Sequence, residues 1–125
     1  MPYVNVRTNR NGAAGVEASL LAAFTLAVHE EKGDAVQMIS ATLATGVALS
    51  FGGDLGNACA VIEMTATAFT PDITARLTRR FTAILGDTLG VPPQRVYVFF
   101  REVPPAERHM VGWNGKTFLE LRPSI

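Results

Sequence analysis

The sequence predicts an α+β fold in which two β-α-β units form one four-stranded mixed sheet with two helices on one face. Short runs of β-branched and aromatic residues alternate with two long segments whose apolar residues recur at helical spacing. The order strand, helix, strand therefore occurs twice at similar length, without a residue-level repeat. Because each helix has one apolar stripe, both are expected to cover the same sheet face, which leaves the other face open.

The first unit is predicted from three segments. A short strand covers residues 2–8, where β-branched residues are frequent, and the polar run after it ends the strand. A helix is predicted from Ala13 to Glu31, and Gly33 lies where a helix terminator belongs. A second β-type segment runs from Val36 to Thr45. The apolar stripe of the helix consists of Val16, Leu20, Phe24 and Val28.

The second unit has clearer boundary signals. A strand is predicted over residues 57–67, and the next helix begins at Pro71, where Thr70 can cap it. Gly90 ends that helix, and a further strand runs from Arg95 to Val103. The apolar stripe of the second helix consists of Ile73, Leu77, Phe81, Ile84, Leu85 and Leu89.

The C-terminal part contains a hairpin signal. Asn114-Gly115 is a dipeptide that favours a two-residue turn between strands. The segment from Leu119 to Arg122 is then predicted to add an edge strand.

Composition indicates one ordinary globular domain over residues 1–125, of which 48% are hydrophobic. Eleven basic residues balance eleven acidic ones, so charge gives no reason to expect nucleic acid or an anionic membrane as a partner. Arg76, Arg79 and Arg80 have helical spacing and are expected to form a solvated face. With one cysteine, Cys59, and two distant histidines, neither an intrachain disulfide nor a metal site is expected.

Targeting signals are not apparent in the sequence. The N-terminus lacks the apolar core of a signal peptide, and polar residues interrupt the longest low-charge stretch. A cytoplasmic protein is the default expectation, and non-classical export stays open.

The second residue carries unusual chemistry. Aminopeptidases commonly remove Met1 before a small residue, which would leave Pro2 as a secondary amine on a rigid ring. Burial disfavours the cation of such an amine and lowers its pKa, so that it becomes a base near neutral pH. That base removes a proton from carbon next to a carbonyl and returns it at a different atom, which is a tautomerisation that needs no cofactor.

Five short motifs follow one another along the chain. They are Met1-Pro2, Thr8-Asn9, Phe51-Gly52-Gly53, Arg95-Val96-Tyr97, and Val111-Gly112-Trp113-Asn114 with Thr117-Phe118. In this order they resemble the macrophage migration inhibitory factor branch of the tautomerase superfamily, over essentially the whole chain. The resemblance implies two β-α-β units assembled as a homotrimer, with each active site at a subunit interface. A closed ring of copies would also bury the open sheet face.

The resemblance implies roles for individual residues. Pro2 matches the catalytic base, and Lys32 falls, after a one-residue adjustment, where the family has a lysine that binds the substrate carboxylate. A solvated lysine at a helix end is the competing interpretation of Lys32, and both stay open. Ala66 matches a residue whose backbone amide contacts the substrate, and Tyr97 matches an aromatic residue of the neighbouring subunit.

Aromatic residues and departures from the family pattern shape the expected pocket. Trp113 and Phe118 match an aromatic rim, with core packing as the alternative role. Phe99 replaces an asparagine of the vertebrate members and removes a hydrogen-bonding group, which makes the site more apolar. Arg101 lies on the same strand face and can supply a cation instead. The segment from Val103 to Met110 is a few residues longer than its counterpart and can reshape the pocket mouth.

These observations lead to three hypotheses about function. The first is a keto-enol tautomerase for phenylpyruvate-like α-keto acids, with Pro2 as general base. The second is a small-acid decarboxylase or dehalogenase in which protonated Pro2 acts as an acid, assisted by Arg101 and Asp34. The third is a non-enzymatic, cytokine-like interaction protein. A Pro2 pKa well below neutrality indicates a base, whereas one well above it indicates an acid.

Overall fold

The computed structural model describes residues 1–121 and contains two long helices and six strands. Three short 3-10 helices, at Val36–Met38, Pro93–Arg95 and Pro105–Met110, join them. The helices are α1 (Val16–Lys32) and α2 (Pro71–Leu89). The strands are β1 (Tyr3–Thr8), β2 (Ser40–Ala44), β3 (Ala60–Ala66), β4 (Val96–Glu102), β5 (Gly112–Trp113) and β6 (Lys116–Thr117).

Four strands form one mixed sheet in the order β2-β1-β3-β4. β1 runs parallel to β2, β3 runs antiparallel to β1, and β4 runs parallel to β3. The two parallel pairs are the two β-α-β units, and each is joined by one long helix. The predicted α+β class and mixed four-stranded sheet are therefore confirmed.

Both helices pack on one face of this sheet, as predicted. Alternate residues of the central strands, such as Val6 and Ile62, are fully buried beneath them. Phe24 of α1 and Phe81 of α2 meet with ring centroids 5.2 Å apart and are also fully buried. The core lies between the helices and one sheet face, and the opposite face carries the exposed positions of the same strands.

Several predicted boundaries were wrong by a few residues. α1 begins at Val16 rather than Ala13 because Gly15 adopts a left-handed φ of 83° immediately before it. Residues 36–38 form a 3-10 turn, so the second strand begins only at Ser40. The third strand begins at Ala60 rather than residue 57, because the preceding backbone carbonyls accept hydrogen bonds from side chains instead of a strand.

Other local predictions are confirmed. The Thr70 hydroxyl accepts a hydrogen bond from the Ile73 N–H at 3.2 Å and caps α2. Gly33 and Gly90 end the two helices with left-handed backbones. The Asn114-Gly115 turn joins β5 to β6 with positive φ at both positions.

The predicted C-terminal edge strand was wrong within the described residues. Residues 119–121 form a turn, and Arg122 lies outside the residues that the structure describes. The Thr117 N–H donates to the Glu120 carboxylate at 2.6 Å, and the Glu120 N–H donates to the Thr117 hydroxyl at 3.2 Å. This reciprocal pair is a capping box, which favours a helical turn over a strand.

The basic residues of α2 do more than face solvent. Arg79 is exposed as predicted, but Arg76 and Arg80 reach the Glu31 carboxylate of α1 at 3.1 and 2.7 Å. The Arg76 guanidinium also donates to the Glu31 carbonyl at 2.9 Å. Two of the three arginines therefore connect the helices, and the prediction of a purely solvated face was wrong for them.

Two side chains organise the loop of residues 49–59. The Asn9 amide oxygen accepts the Cys59 N–H at 2.9 Å, and its nitrogen donates to carbonyls of the same loop. The Arg95 guanidinium donates to the buried Ala58 carbonyl at 2.9 Å and to further loop carbonyls. Between them, the Asn9 amide and the Arg95 guanidinium donate to the backbone carbonyls of Leu49, Phe51, Asp54, Leu55, Asn57 and Ala58. Residues of three of the five motifs are thus connected by hydrogen bonds through this loop.

Candidate active site

Pro2 lies buried at the start of β1, beside the first residue of the neighbouring strand. Its carbonyl accepts a hydrogen bond from the Ser40 N–H at 3.0 Å. The antiparallel pairing of Tyr3 with Thr65 places Ala66 opposite Pro2, one position beyond the last pair. Backbone bonds on one side and a facing strand on the other hold the proline in a fixed position.

An apolar cavity of about 210 Å³ opens on one side of Pro2. Trp113 from the β5-β6 hairpin is 48% exposed at its wall, and Phe118 is 4% exposed. Met38 and Val111 contribute further apolar surface. The predicted aromatic pair Trp113 and Phe118 therefore does lie beside Pro2.

A second, charged cavity of about 260 Å³ lies on the other side of Phe118. Asp34 and Arg108 line it together with Thr67 and Met38. Met1 lines both cavities, as do Met38 and Phe118. Removal of Met1 would therefore take away one wall that the apolar cavity and the charged cavity share.

Lys32 is not a solvated helix-end lysine. Its side chain is only 6% exposed, and its ammonium group donates to the Asp34 carboxylate at 2.9 Å. The same ammonium group lies 5.8 Å from the centre of the Phe69 ring. The Lys32 charge is therefore buried and already paired with a carboxylate at the edge of the charged cavity.

These charges act on the N-terminal amine. Burial lowers the pKa of the Met1 α-amino group below its ordinary value. The negative charge of Asp34 opposes that shift, while the positive charges of Lys32 and Arg108 lower the pKa further. The site thus shifts the N-terminal amine toward its neutral form, in which nitrogen has a free electron pair.

Three predicted site residues lie elsewhere in the single chain. Tyr97, Phe99 and Arg101 are on the open sheet face, where Phe99 pairs with Glu63 of β3. Tyr97 is 57% exposed and Phe99 is 56% exposed, and Arg101 lines a cavity of about 290 Å³ on that face. Within one chain, none of the three lines the cavities beside Pro2.

The described residues, 1–121, supply neither a cluster of metal-ligating side chains nor a membrane-spanning helix. They contain no group of three or more His, Cys, Asp or Glu side chains that could hold a metal ion. No helix within this range has both the length and the apolar character needed to cross a membrane.

Comparison with known proteins decides the family. The family model of macrophage migration inhibitory factor matches residues 1–119. The chain belongs to this family. No curated protein matches the chain by sequence.

Similar solved structures share the fold. The homologue of macrophage migration inhibitory factor from Prochlorococcus marinus is 24% identical, with a TM-score of 0.83 over 93% of this chain and 98% of that one. MIF2 from Leishmania major is also 24% identical, with a TM-score of 0.80 over 94% and 97%. A fused 4-OT described as a symmetric trimer is 22% identical, with a TM-score of 0.80 over 94% and 96%.

In this member of the macrophage migration inhibitory factor family, sequence reasoning missed Arg108 and Met38 and the pairing of Asp34 with Lys32. The one available signal for Arg108 was the longer segment from Val103 to Met110. Its residues Pro105–Met110 form a 3-10 helix that places Arg108 in a cavity with Met1. Composition alone does not indicate which side chain of that segment points inward.

Proposed function

We propose that this chain is a cofactor-independent keto-enol tautomerase that uses Pro2 as general base after Met1 is removed. One observation carries the proposal: Pro2 is buried and lines an apolar cavity that shares Met1, Met38 and Phe118 with a charged cavity, and burial there lowers the pKa of the N-terminal amine. An aromatic α-keto acid has the matching polarity. Its ring suits the side of Trp113 and Phe118, and its carboxylate suits the side with Lys32 and Arg108.

The reaction follows from this placement. The Pro2 nitrogen uses its electron pair to take a proton from the carbon next to the carbonyl. The electrons of the broken C–H bond form the carbon–carbon double bond, and the carbonyl π electrons move to oxygen. The protonated amine returns the proton to that oxygen, which yields the enol and restores the base. Ketonisation is the reverse sequence.

A homotrimer completes the proposed site. Tyr97 and Phe99 are large aromatic residues on the open sheet face, where they lie within 5.7 Å of each other, ring centre to ring centre. Packing of copies into a closed ring would bury such a face and bring it to the Pro2 cavity of a neighbour. Tyr97 then acts as a wall of the neighbour's site.

The test uses native protein with Met1 removed and the Pro2→Gly variant. Ketonisation of phenylpyruvate enol is followed by ultraviolet absorbance, with intact mass spectrometry of both proteins. Pro2→Gly should lower kcat/KM strongly because glycine supplies a flexible primary amine in place of the rigid secondary one. Equal rates for the two proteins reject the assignment of Pro2.

The decarboxylase or dehalogenase alternative has less support. It needs a carboxylate that activates water, but the Asp34 carboxylate is occupied by Lys32 at 2.9 Å. Titration of the Pro2 amine separates the two enzymes, because an acid requires a pKa above neutrality. A specific protein partner that binds Pro2→Gly and native protein equally would favour the interaction protein.

A further inference from the structure

We propose that Arg108, on the segment between β4 and β5, is the residue that receives the substrate carboxylate at the Pro2 site. This inference rests on the proposed function of that site, and it assigns the role to an arginine in place of Lys32. The substrate class it selects is a small organic acid with one carboxylate next to the reacting carbons and an apolar group beyond them.

The position of Arg108 carries the inference first. Arg108 lines the charged cavity together with Met1 and Asp34, although its 3-10 helix is far from both of these residues in sequence. Its charge is near enough to the N-terminal amine to act on it. An anion bound by Arg108 would therefore occupy the cavity that Met1 lines, next to the N-terminus.

The unused hydrogen-bonding capacity of Arg108 is the second observation. Its Nε is buried, and among residues 1–121 it has no hydrogen-bond partner. The ion pairs of the described chain do not include Arg108 either. A buried N–H without an acceptor is unfavourable, and a carboxylate that accepts from a guanidinium removes that penalty with two parallel bonds.

Lys32 is less suited to the same task. Its ammonium group already donates to Asp34 at 2.9 Å, so the pair together presents little net charge. A substrate carboxylate that used Lys32 would have to approach the Asp34 carboxylate closely, and like charges repel. Arg108 is the cation of this cavity whose donors the described residues leave open.

The experiment measures binding without turnover, on protein with Met1 removed. Calorimetry gives the Kd of 3-phenylpropanoate and of its neutral analogue 3-phenylpropanamide. The native protein should bind the acid more tightly than the amide, and Arg108→Gln should raise the Kd of the acid by about tenfold to a hundredfold. The Kd of the amide should change by less than about twofold, which would show that the variant is folded and that its apolar cavity is intact. Arg108→Lys should restore part of the loss, because it keeps the charge but not the fork.

Two further variants complete the test. Arg79→Gln removes the same charge from an exposed position on α2 and should leave both Kd values unchanged. The double variant Lys32→Gln/Asp34→Asn removes both charges of the buried pair. It should raise the Kd of the acid less than Arg108→Gln does. No preference for the acid in native protein, or a larger loss in the double variant, overturns the inference.

The outcome is separable from that of the proposed function. If Arg108→Gln binds the acid normally while Pro2→Gly loses ketonisation, the base stands and the carboxylate assignment fails. If Arg108→Gln loses the acid while Pro2→Gly keeps full activity, the anion site stands and the base assignment fails.

Discussion

Replacing Arg95 by methionine should lower the free energy of unfolding by about 2–4 kcal/mol. The guanidinium donates to the Ala58 carbonyl at 2.9 Å and to the Asn57 and Asp54 carbonyls at 3.1 and 3.2 Å. Ala58 is buried, so its carbonyl would lose a partner that water cannot easily replace, at a cost of about 1–3 kcal/mol. The other acceptors are closer to solvent and add about 1 kcal/mol together, because water compensates for them.

The measurement is urea unfolding at a fixed protomer concentration, since association would make stability depend on concentration. Arg95→Lys should fall between the parent and Arg95→Met, because one ammonium group cannot reach carbonyls arranged around a planar fork. Arg79→Met is the matched control at an exposed position and should change stability by less than about 0.5 kcal/mol. An Arg95→Met protein as stable as the control refutes the structural role assigned to this side chain.

Three further outcomes are expected. Phe24→Ala should cost about 3–5 kcal/mol in urea unfolding, because it empties the centre of the helix contact, whereas a loss under about 1 kcal/mol contradicts the packing described. In pH profiles of kcat/KM, Asp34→Asn should move the acid limb to lower pH and Arg108→Gln should move it to higher pH. Asp34→Asn removes a negative charge that favours the protonated amine, whereas Arg108→Gln removes a positive charge that opposes it. Shifts of the acid limb in the same direction would contradict these charge effects. Asn114→Val should cost about 1–2 kcal/mol at its φ of 54°, and Asn114→Gly should be nearly neutral in the same unfolding assay.

Much of the fold was predictable because its signals are local. The Thr70 cap, the Gly33 and Gly90 terminators and the Asn114-Gly115 turn each depend on neighbours in sequence, and each formed as predicted. The wrong boundaries depend on distant partners. The third strand starts late because the side chains of Asn9 and Arg95, 48 and 37 positions away, donate hydrogen bonds to the carbonyls that precede it.

The site was predictable only in part. The identity of Pro2 and the aromatic residues came from their place in an ordered set of motifs, and Trp113 and Phe118 do lie beside it. Arg108 was missed because its inward orientation depends on how a 3-10 segment folds back, which no periodic pattern encodes. Strand alternation correctly placed Phe99 and Arg101 on one face, but a single chain does not decide which site that face meets.

The most direct test of the central claim compares the chain with Met1 removed against the same chain with Met1 retained, each identified by intact mass. Retained Met1 turns the Pro2 nitrogen into an amide and lines both cavities. For ketonisation of phenylpyruvate enol, removal of Met1 should raise kcat/KM by about 10²–10⁴, the usual contribution of a positioned general base. Equal rates for the two forms would contradict catalysis by the Pro2 amine.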